Sequence, residues 1–173
     1  RISDRQRGDT GTISSIEVRA YGSSDVDDNY YFTDEFGSVS AAATSRRSLA
    51  DTDGGIDTIN IAALTAGASI DLIAGNESTL VGATFKIAAN TVIENVIGSW
   101  SKDTIVGNSL ANILLGNDGD DLIFGNGGDD HITGGKGDDT ADAGEGTDYY
   151  YLEAAWVDLD WTVSVASVTF NFD

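Results

Sequence analysis

Residues 98–151 read GSWSKDTIV, GNSLANILL, GNDGDDLIF, GNGGDDHIT, GGKGDDTAD, AGEGTDYYY, one nine-residue pattern written six times without an insertion. The first position holds Gly98, Gly107, Gly116, Gly125, Gly134 and Ala143, and the sixth holds Asp103, Asn112, Asp121, Asp130, Asp139 and Asp148. The eighth holds Ile105, Leu114, Ile123, Ile132, Ala141 and Tyr150. Six residues rich in glycine and carboxylate, then three with an apolar centre, describe a turn followed by a very short strand. If each repeat is half a coil, the chain returns to the same edge every two repeats. Asp103, Asp121 and Asp139 then stack along one edge and Asn112, Asp130 and Asp148 along the other. The eighth position fills a narrow core between two parallel sheets.

Carboxylates stacked at strand spacing, roughly 4.8 Å, repel one another, so the pattern calls for a cation between them. A glycine turn offers carboxylates and backbone carbonyls, the oxygen shell that a hard divalent ion takes. Calcium suits it better than magnesium, which keeps its waters and demands an octahedron. Zinc wants His or Cys, and the chain has one His and no Cys.

The pattern is that of the nonapeptide GGxGxDxUx, and the segment is identified as a member of the RTX calcium-binding repeats. More narrowly, 51–151 resembles the C-terminal domain of the serralysin-type secreted proteases, in which a segment like DGGIDTINIAAL (53–64) precedes one like NTVIENVIGS (90–99) and leads into the roll. The resemblance implies an all-β fold: a parallel β-roll over 98–151 preceded by a capping β-segment over 51–97. It further implies that the side chain at position six, with carbonyls of positions one, two and four, holds calcium between loops two repeats apart. Carried over by position, the strong loops are Gly116, Asn117, Gly119, Asp121; Gly125, Asn126, Gly128, Asp130; and Gly134, Gly135, Gly137, Asp139. The loop of Gly144, Gly146 and Asp148 lacks the leading glycine. The first two loops depart further, with Ser99, Ser101 and Asp103 in one and Asn108, Leu110 and Asn112 in the other, and are expected to be weaker or merely structural sites. In the cap the same resemblance implies ligands at Gly54, Gly55, Asp57 and Glu94, with either Asp51 or Asp53 beside them.

The whole chain, 173 residues with a net charge of −20, holds one ordinary domain or two small ones. That charge disfavours nucleic acid and anionic membranes as partners, while 40% apolar residues argue against disorder. No disulfide framework exists without cysteine. No apolar run reaches transmembrane length, no signal peptide is recognisable, and the absence of any Met makes the chain read as a fragment or a processed piece.

Residues 1–22, RISDRQRGDTGTISSIEVRAYG, alternate on either side of a GDTG turn as a hairpin does. They resemble the last strands of the P domain that follows the catalytic domain in kexin- and furin-like subtilisin proteases. Residues 23–50 read as an acidic, Ser- and Ala-rich linker with one aromatic knot at Tyr30, Tyr31, Phe32 and Phe36. Asp25, Asp27 and Asn29 begin an EF-hand pattern that Tyr30 and Phe36 break, since glycine and glutamate belong there. Arg46 and Arg47 read as a solvated charge pair, the alternative being a dibasic site that a kexin-like enzyme cuts.

Strands are expected over 58–61, 69–73, 84–87 and 92–97, with no convincing helix in the cap. Repeat proteins need such caps because an open roll exposes strand edges and core. Ile113 and Leu115 should face outward on one sheet and Leu122 and Phe124 on the other, and neighbouring non-repeat segments should cover them. His131, also outward, reads as a surface residue. Residues 152–173 read as a strand-like C-terminal cap, with Trp156 and Trp161 as its expected apolar anchors.

With neither an HExxH helix nor a Ser, His, Asp set, the chain carries no catalytic residues of its own. The expected function is a calcium-binding module that folds on taking up several calcium ions and supports secretion and stability of a secreted, subtilisin- or kexin-like serine protease. Its partners would be an upstream catalytic domain of the same polypeptide and a type I secretion apparatus, and its location extracellular. The alternatives are a calcium-rigidified adhesin or carbohydrate-binding module, with Trp100, Trp156 and Trp161 as a stacking platform, or the accessory roll of another secreted enzyme.

Overall fold

Short β-branched and apolar runs between glycine turns form the strands of two sheets in the computed structural model, alternating from one sheet to the other except over 69–87, where three consecutive strands share a sheet. The residues described are 27–42, 47–51, 53–151, 162–163 and 168–170. The hairpin read in 1–22 and the anchors Trp156 and Trp161 lie outside them. One sheet orders β1 (Asn29–Tyr31), β3 (Thr58–Asn60), β7 (Asn95–Ile97), β9 (Ile113–Asp118), β11 (His131–Lys136), β13 (Asp148–Tyr151) and β15 (Val168–Phe170), every pair parallel. The other orders β14 (Thr162–Val163), β12 (Thr140–Asp142), β10 (Leu122–Phe124), β8 (Thr104–Val106), β4 (Ser69–Asp71), β5 (Glu77–Leu80), β6 (Ala83–Ile87) and β2 (Ser48–Leu49).

From β7 onward the register repeats every eighteen residues: Asn95 pairs with Ile113, Ile113 with His131 and His131 with Tyr149. On the facing sheet Thr104 pairs with Leu122 and Leu122 with Thr140. This is the parallel β-roll. Its eighth-position residues, Ile105, Leu114, Ile123, Ile132, Ala141 and Tyr150, point inward and are at most 2% exposed. The Tyr150 hydroxyl accepts a hydrogen bond from Ala143 N at 2.8 Å, which satisfies the phenol inside the core.

The cap continues both sheets in a wider coil, since Thr58 pairs with Asn95 and Ser69 with Thr104. The extra length is the antiparallel hairpin β5–β6, where Ser78 pairs with Phe85 and Leu80 with Ala83. Strand β5 was absent from the sequence expectation. Its turn, Val81 and Gly82, carries φ of 50° and 71°, the left-handed geometry a two-residue hairpin demands, yet valine is a poor signal for it.

Within the stretch read as linker, β1 joins the first sheet, and α1 (Phe36–Ala42) lies against β6. The aromatic knot explains it: Phe32 stacks on Phe85 with centroids 4.8 Å apart, and Phe36 meets both rings edge-on. Ile59, Ile61, Ile70, Leu72, Phe85 and Ile93 form the cap's fully buried core, continuous with that of the roll. No helix among the described residues is long and apolar enough to cross a membrane.

Candidate metal centre

The loops of the roll take their shape from two backbone positions. Position two is left-handed at Asn117 (φ 76°), Asn126 (73°), Gly135 (110°) and Gly144 (91°), a conformation that asparagine and glycine tolerate best. Position four also has positive φ at Gly119, Gly128, Gly137 and Gly146. There the backbones stack so closely that a Cβ on Gly128 would stand 2.6 Å from Ala111 N, so only glycine fits.

These turns bring the sixth-position side chains inside. Asp103, Asn112, Asp121, Asp130, Asp139 and Asp148 are all at most 3% exposed. They form two ladders, as the repeat predicts. Along one edge Asp103 N donates to Asp121 Oδ1 (2.7 Å) and Asp121 N to Asp139 Oδ1 (2.9 Å). Along the other, Asn112 N donates to Asp130 Oδ1 (2.8 Å) and Asp130 N to Asp148 Oδ1 (3.0 Å). One oxygen of each carboxylate thus holds the preceding coil.

The second oxygen is the informative one. Oδ2 of Asp121, Asp130 and Asp139 is buried with no hydrogen-bond partner, an arrangement that costs several kcal/mol for an ionised group, roughly, unless something cationic meets it. Each of these oxygens lies against the position-one glycine of its own loop, Gly116, Gly125 or Gly134. A Cβ on Gly116 would collide with both Asp121 Oδ2 and the Gly134 carbonyl, and one on Gly125 with Asp130 Oδ2 and the Ala143 carbonyl. Buried oxygens without donors, beside carbonyl oxygens of the next coil, are the donor set of a hard cation such as calcium.

Electrostatics agree. Burial pushes Asp121 up to about 7, the neighbouring charges of Asp103 and Asp139 adding to it, against the hydrogen bond from Asp103 N. Burial likewise raises Asp130 to about 6, with Asp148 and Asp129 nearby. Asp139 is raised as well, chiefly by burial. Without a cation these carboxylates take up protons more readily than a free aspartate does, and a bound ion would compete with those protons.

The first two loops are built differently. Asp103 Oδ2 accepts from Ser99 N (2.6 Å) and Ser99 Oγ (3.0 Å), while its Oδ1 accepts from Ala68 N (2.7 Å). The Ser101 carbonyl, 3.1 Å from Ser99 Oγ, is an alternative acceptor for the same single proton. In the next loop Asn112 Oδ1 accepts from Asn108 N (2.9 Å) and its Nδ2 donates to the Glu94 carbonyl (2.8 Å). Asn108 Nδ2 donates to the Ile93 carbonyl, and Leu110 is exposed, its N–H bound to Asn108 Oδ1.

A second oxygen-rich site lies in the cap. Carboxylate oxygens of Asp28, Asp51 and Asp53 come within 4.8 Å of one another. Asp51, Asp53, Gly54, Gly55 and Glu94 line one hollow of about 310 Å³. Asp57 is fully buried, accepting from Asp28 N at 2.7 Å through Oδ1 and leaving Oδ2 without a partner, and its own N–H donates to Glu94 Oε2 (2.8 Å). Burial first, then the charges of Asp51, Glu94 and Asp28, raise Asp57 to about 6. The four cap residues expected from sequence therefore share one neighbourhood, and Asp51 and Asp53 both belong to it. Asp28 was missed because it precedes the expected cap; its only signal was the strand-forming NYYF that follows it.

Other residues singled out from sequence sit on the surface. His131 is partly buried on the outer face, 4.9 Å from the Tyr149 ring, with the Tyr151 hydroxyl 3.4 Å from its Nδ1. Ile113 remains 47% exposed and Trp100 60% exposed.

In comparison with known protein families, residues 97–132 and 124–154 match the model of the RTX calcium-binding nonapeptide repeat, with four copies. No curated protein matches the chain.

Proposed function

We propose, from the premise that residues 97–154 are an RTX calcium-binding β-roll, that this chain is a folding module which becomes ordered on binding calcium and thereby stabilises a secreted protein. RTX repeats bind several calcium ions along the array. The observation that carries the reading is the row of buried, unpartnered Oδ2 atoms at Asp121, Asp130 and Asp139. With the position-one carbonyls beside them, these residues would hold the ions, and Asp57 with Glu94, Asp28, Asp51 and Asp53 would hold another in the cap. Calcium supplies positive charge where these carboxylates otherwise repel.

Linkage gives the consequence. An ion that binds the fold and not the unfolded chain contributes about 1.4 kcal/mol at ten times its Kd. Four such sites give roughly 6 kcal/mol, comparable to the stability of a whole domain. In a calcium-poor cytosol the acidic chain stays loose enough for export, and outside the cell it folds. Lack of cysteine is in keeping with that route.

The parent protein is a secreted protease of the subtilisin or kexin type, a reading supported by the resemblance of residues 1–22 to the end of a P domain. The coding sequence upstream of Arg1 tests it: a Ser, His, Asp catalytic domain is expected there, and a different enzyme domain or an adhesin repeat overturns it. Calorimetric titration of the chain tests the module itself. Calcium should bind with measurable heat at several sites while magnesium does not, and binding of neither ion would refute the reading. A second reading, a glycan-binding module, is favoured by exposed Trp100 at the rim of a groove lined by Asn117, Asp118 and Lys136.

A further inference from the structure

We infer that the first coil of the roll, residues 95–115, is closed by its own side chains and folds without calcium, serving as the template on which the ion-dependent coils from Gly116 onward assemble. The inference rests on the calcium-folding reading of 116–151 and adds where the ion dependence begins.

Every oxygen that faces an ion site in the later coils meets a hydrogen-bond donor in the first. Both oxygens of Asp103 are satisfied, one by Ser99 N and Oγ and the other by Ala68 N. Ser99 stands where the repeat asks for glycine, so its hydroxyl supplies the donor that the later loops lack. At Asn112 the side chain is neutral and brings its own donor, Nδ2, to the Glu94 carbonyl at 2.8 Å. On the carbonyl side the donors come from the following coils, Asn117 Nδ2 to the Gly98 carbonyl and Asn126 Nδ2 to the Gly107 carbonyl, both at 2.7 Å, so these two bonds form only as those coils assemble on the first. By contrast Asp121, Asp130 and Asp139 each keep a buried oxygen without a donor.

Charge and packing point the same way. The first coil buries one aspartate, Asp103, against Asn112, whereas the next buries two, Asp121 and Asp130. Less repulsion has to be neutralised there. Its inner residues Val96, Ile105 and Leu114 belong to the core that Ile59 and Ile70 anchor, with Val96 paired to Ile59 and Ile105 to Ile70. The coil is therefore welded to the cap by apolar contact and by side-chain hydrogen bonds, and it presents β8 and β9 as finished edges. A preformed edge removes the nucleation cost for the coil that follows.

Hydrogen exchange read by mass spectrometry on the full chain, in chelator and in calcium, tests this. In chelator, amides of 98–115 should exchange about tenfold or more slowly than those of 116–151, and calcium should then protect 116–151. If 98–115 and 116–151 exchange equally fast in chelator and gain protection together in calcium, the template is refuted while calcium-driven folding stands. If calcium changes neither segment, the calcium-folding reading itself fails. A second arm moves the coil toward the consensus with Ser99→Gly and Asn112→Asp. Protection of 98–115 in chelator should fall about tenfold and return with calcium, with 58–87 unchanged; unaltered protection in chelator would overturn the assignment of these side chains as ion substitutes.

Discussion

The cap over 51–97 and the roll over 98–151 share two continuous sheets but are held by different forces. Among the described residues the cap buries eleven apolar residues and one carboxylate, Asp57, whereas the longer roll buries seven apolar residues and five aspartates. In each coil of the roll only two side chains face the core. Two inward side chains for eighteen ordered residues give the roll little apolar stabilisation to set against the ordering of its backbone, so its stability should follow cation binding at Asp121, Asp130 and Asp139, while the cap's should rest mainly on apolar packing.

The largest effect that would sharpen this contrast is Phe85→Ala. Phe85 is 1% exposed and stacked on Phe32, so urea unfolding should show a loss of about 3–5 kcal/mol, in chelator and in calcium alike. A loss seen only with calcium would erase the distinction.

Acidity should act on the roll in opposite senses with and without calcium. Asp121 and Asp130 are raised to about 7 and about 6 in the ion-free fold, so that fold binds more protons than the unfolded chain between those values and the ordinary aspartate value near ~4. In chelator, roll stability should therefore be greatest near pH 4 and fall as pH rises toward about 7. In calcium, protons compete with the ion and apparent affinity should rise over the same interval. Circular dichroism melts across pH check both, and parallel trends in the two conditions would contradict the assignment of these carboxylates as ligands.

A smaller effect separates ion from hydrogen bond. Asp121→Asn keeps the shape but lowers the charge of one site, and should lose about 1.4 kcal/mol at calcium ten times its Kd. In chelator it should be neutral or stabilising, because a buried charge has been removed. Equal losses in both conditions would assign Asp121 a purely structural role.

The smallest belongs to Asn117. Its amide reaches the Gly98 carbonyl, and Asn117→Gly keeps the left-handed turn while deleting that bond. About 0.5–1.5 kcal/mol should be lost in calcium, with the affinity for calcium unchanged; a weakened affinity would place the ion, not the amide, at that carbonyl.

How much of this was legible in the sequence follows from the same contrast. A strict period of nine fixes both columns of the roll, so the inward positions and the two ladders could be read off Gly116 to Asp148 residue by residue. The substitutions Ser99 and Asn112 were visible as departures, but which acceptors their side chains meet depends on how the coil folds against Asp103 and the Glu94 carbonyl. The cap has no period. Strand β5 was hidden because Val81–Gly82 is not a common hairpin turn, and Ser78, a polar residue, faces inward to donate to the Asp71 carbonyl. Asp28 reaches the cap site across twenty-nine residues of chain through its hydrogen bond to Asp57, a juxtaposition that composition could not reveal in a stretch rich in Ser, Ala and Asp.

The measurement that tests the central claim most directly is a calcium titration of the whole chain followed by far-ultraviolet circular dichroism, with magnesium as control. The account predicts a partial β signal in chelator, from the cap, and a cooperative increase with calcium that magnesium does not reproduce and chelator reverses. A chain whose spectrum and melting temperature are the same in chelator and in calcium would contradict it.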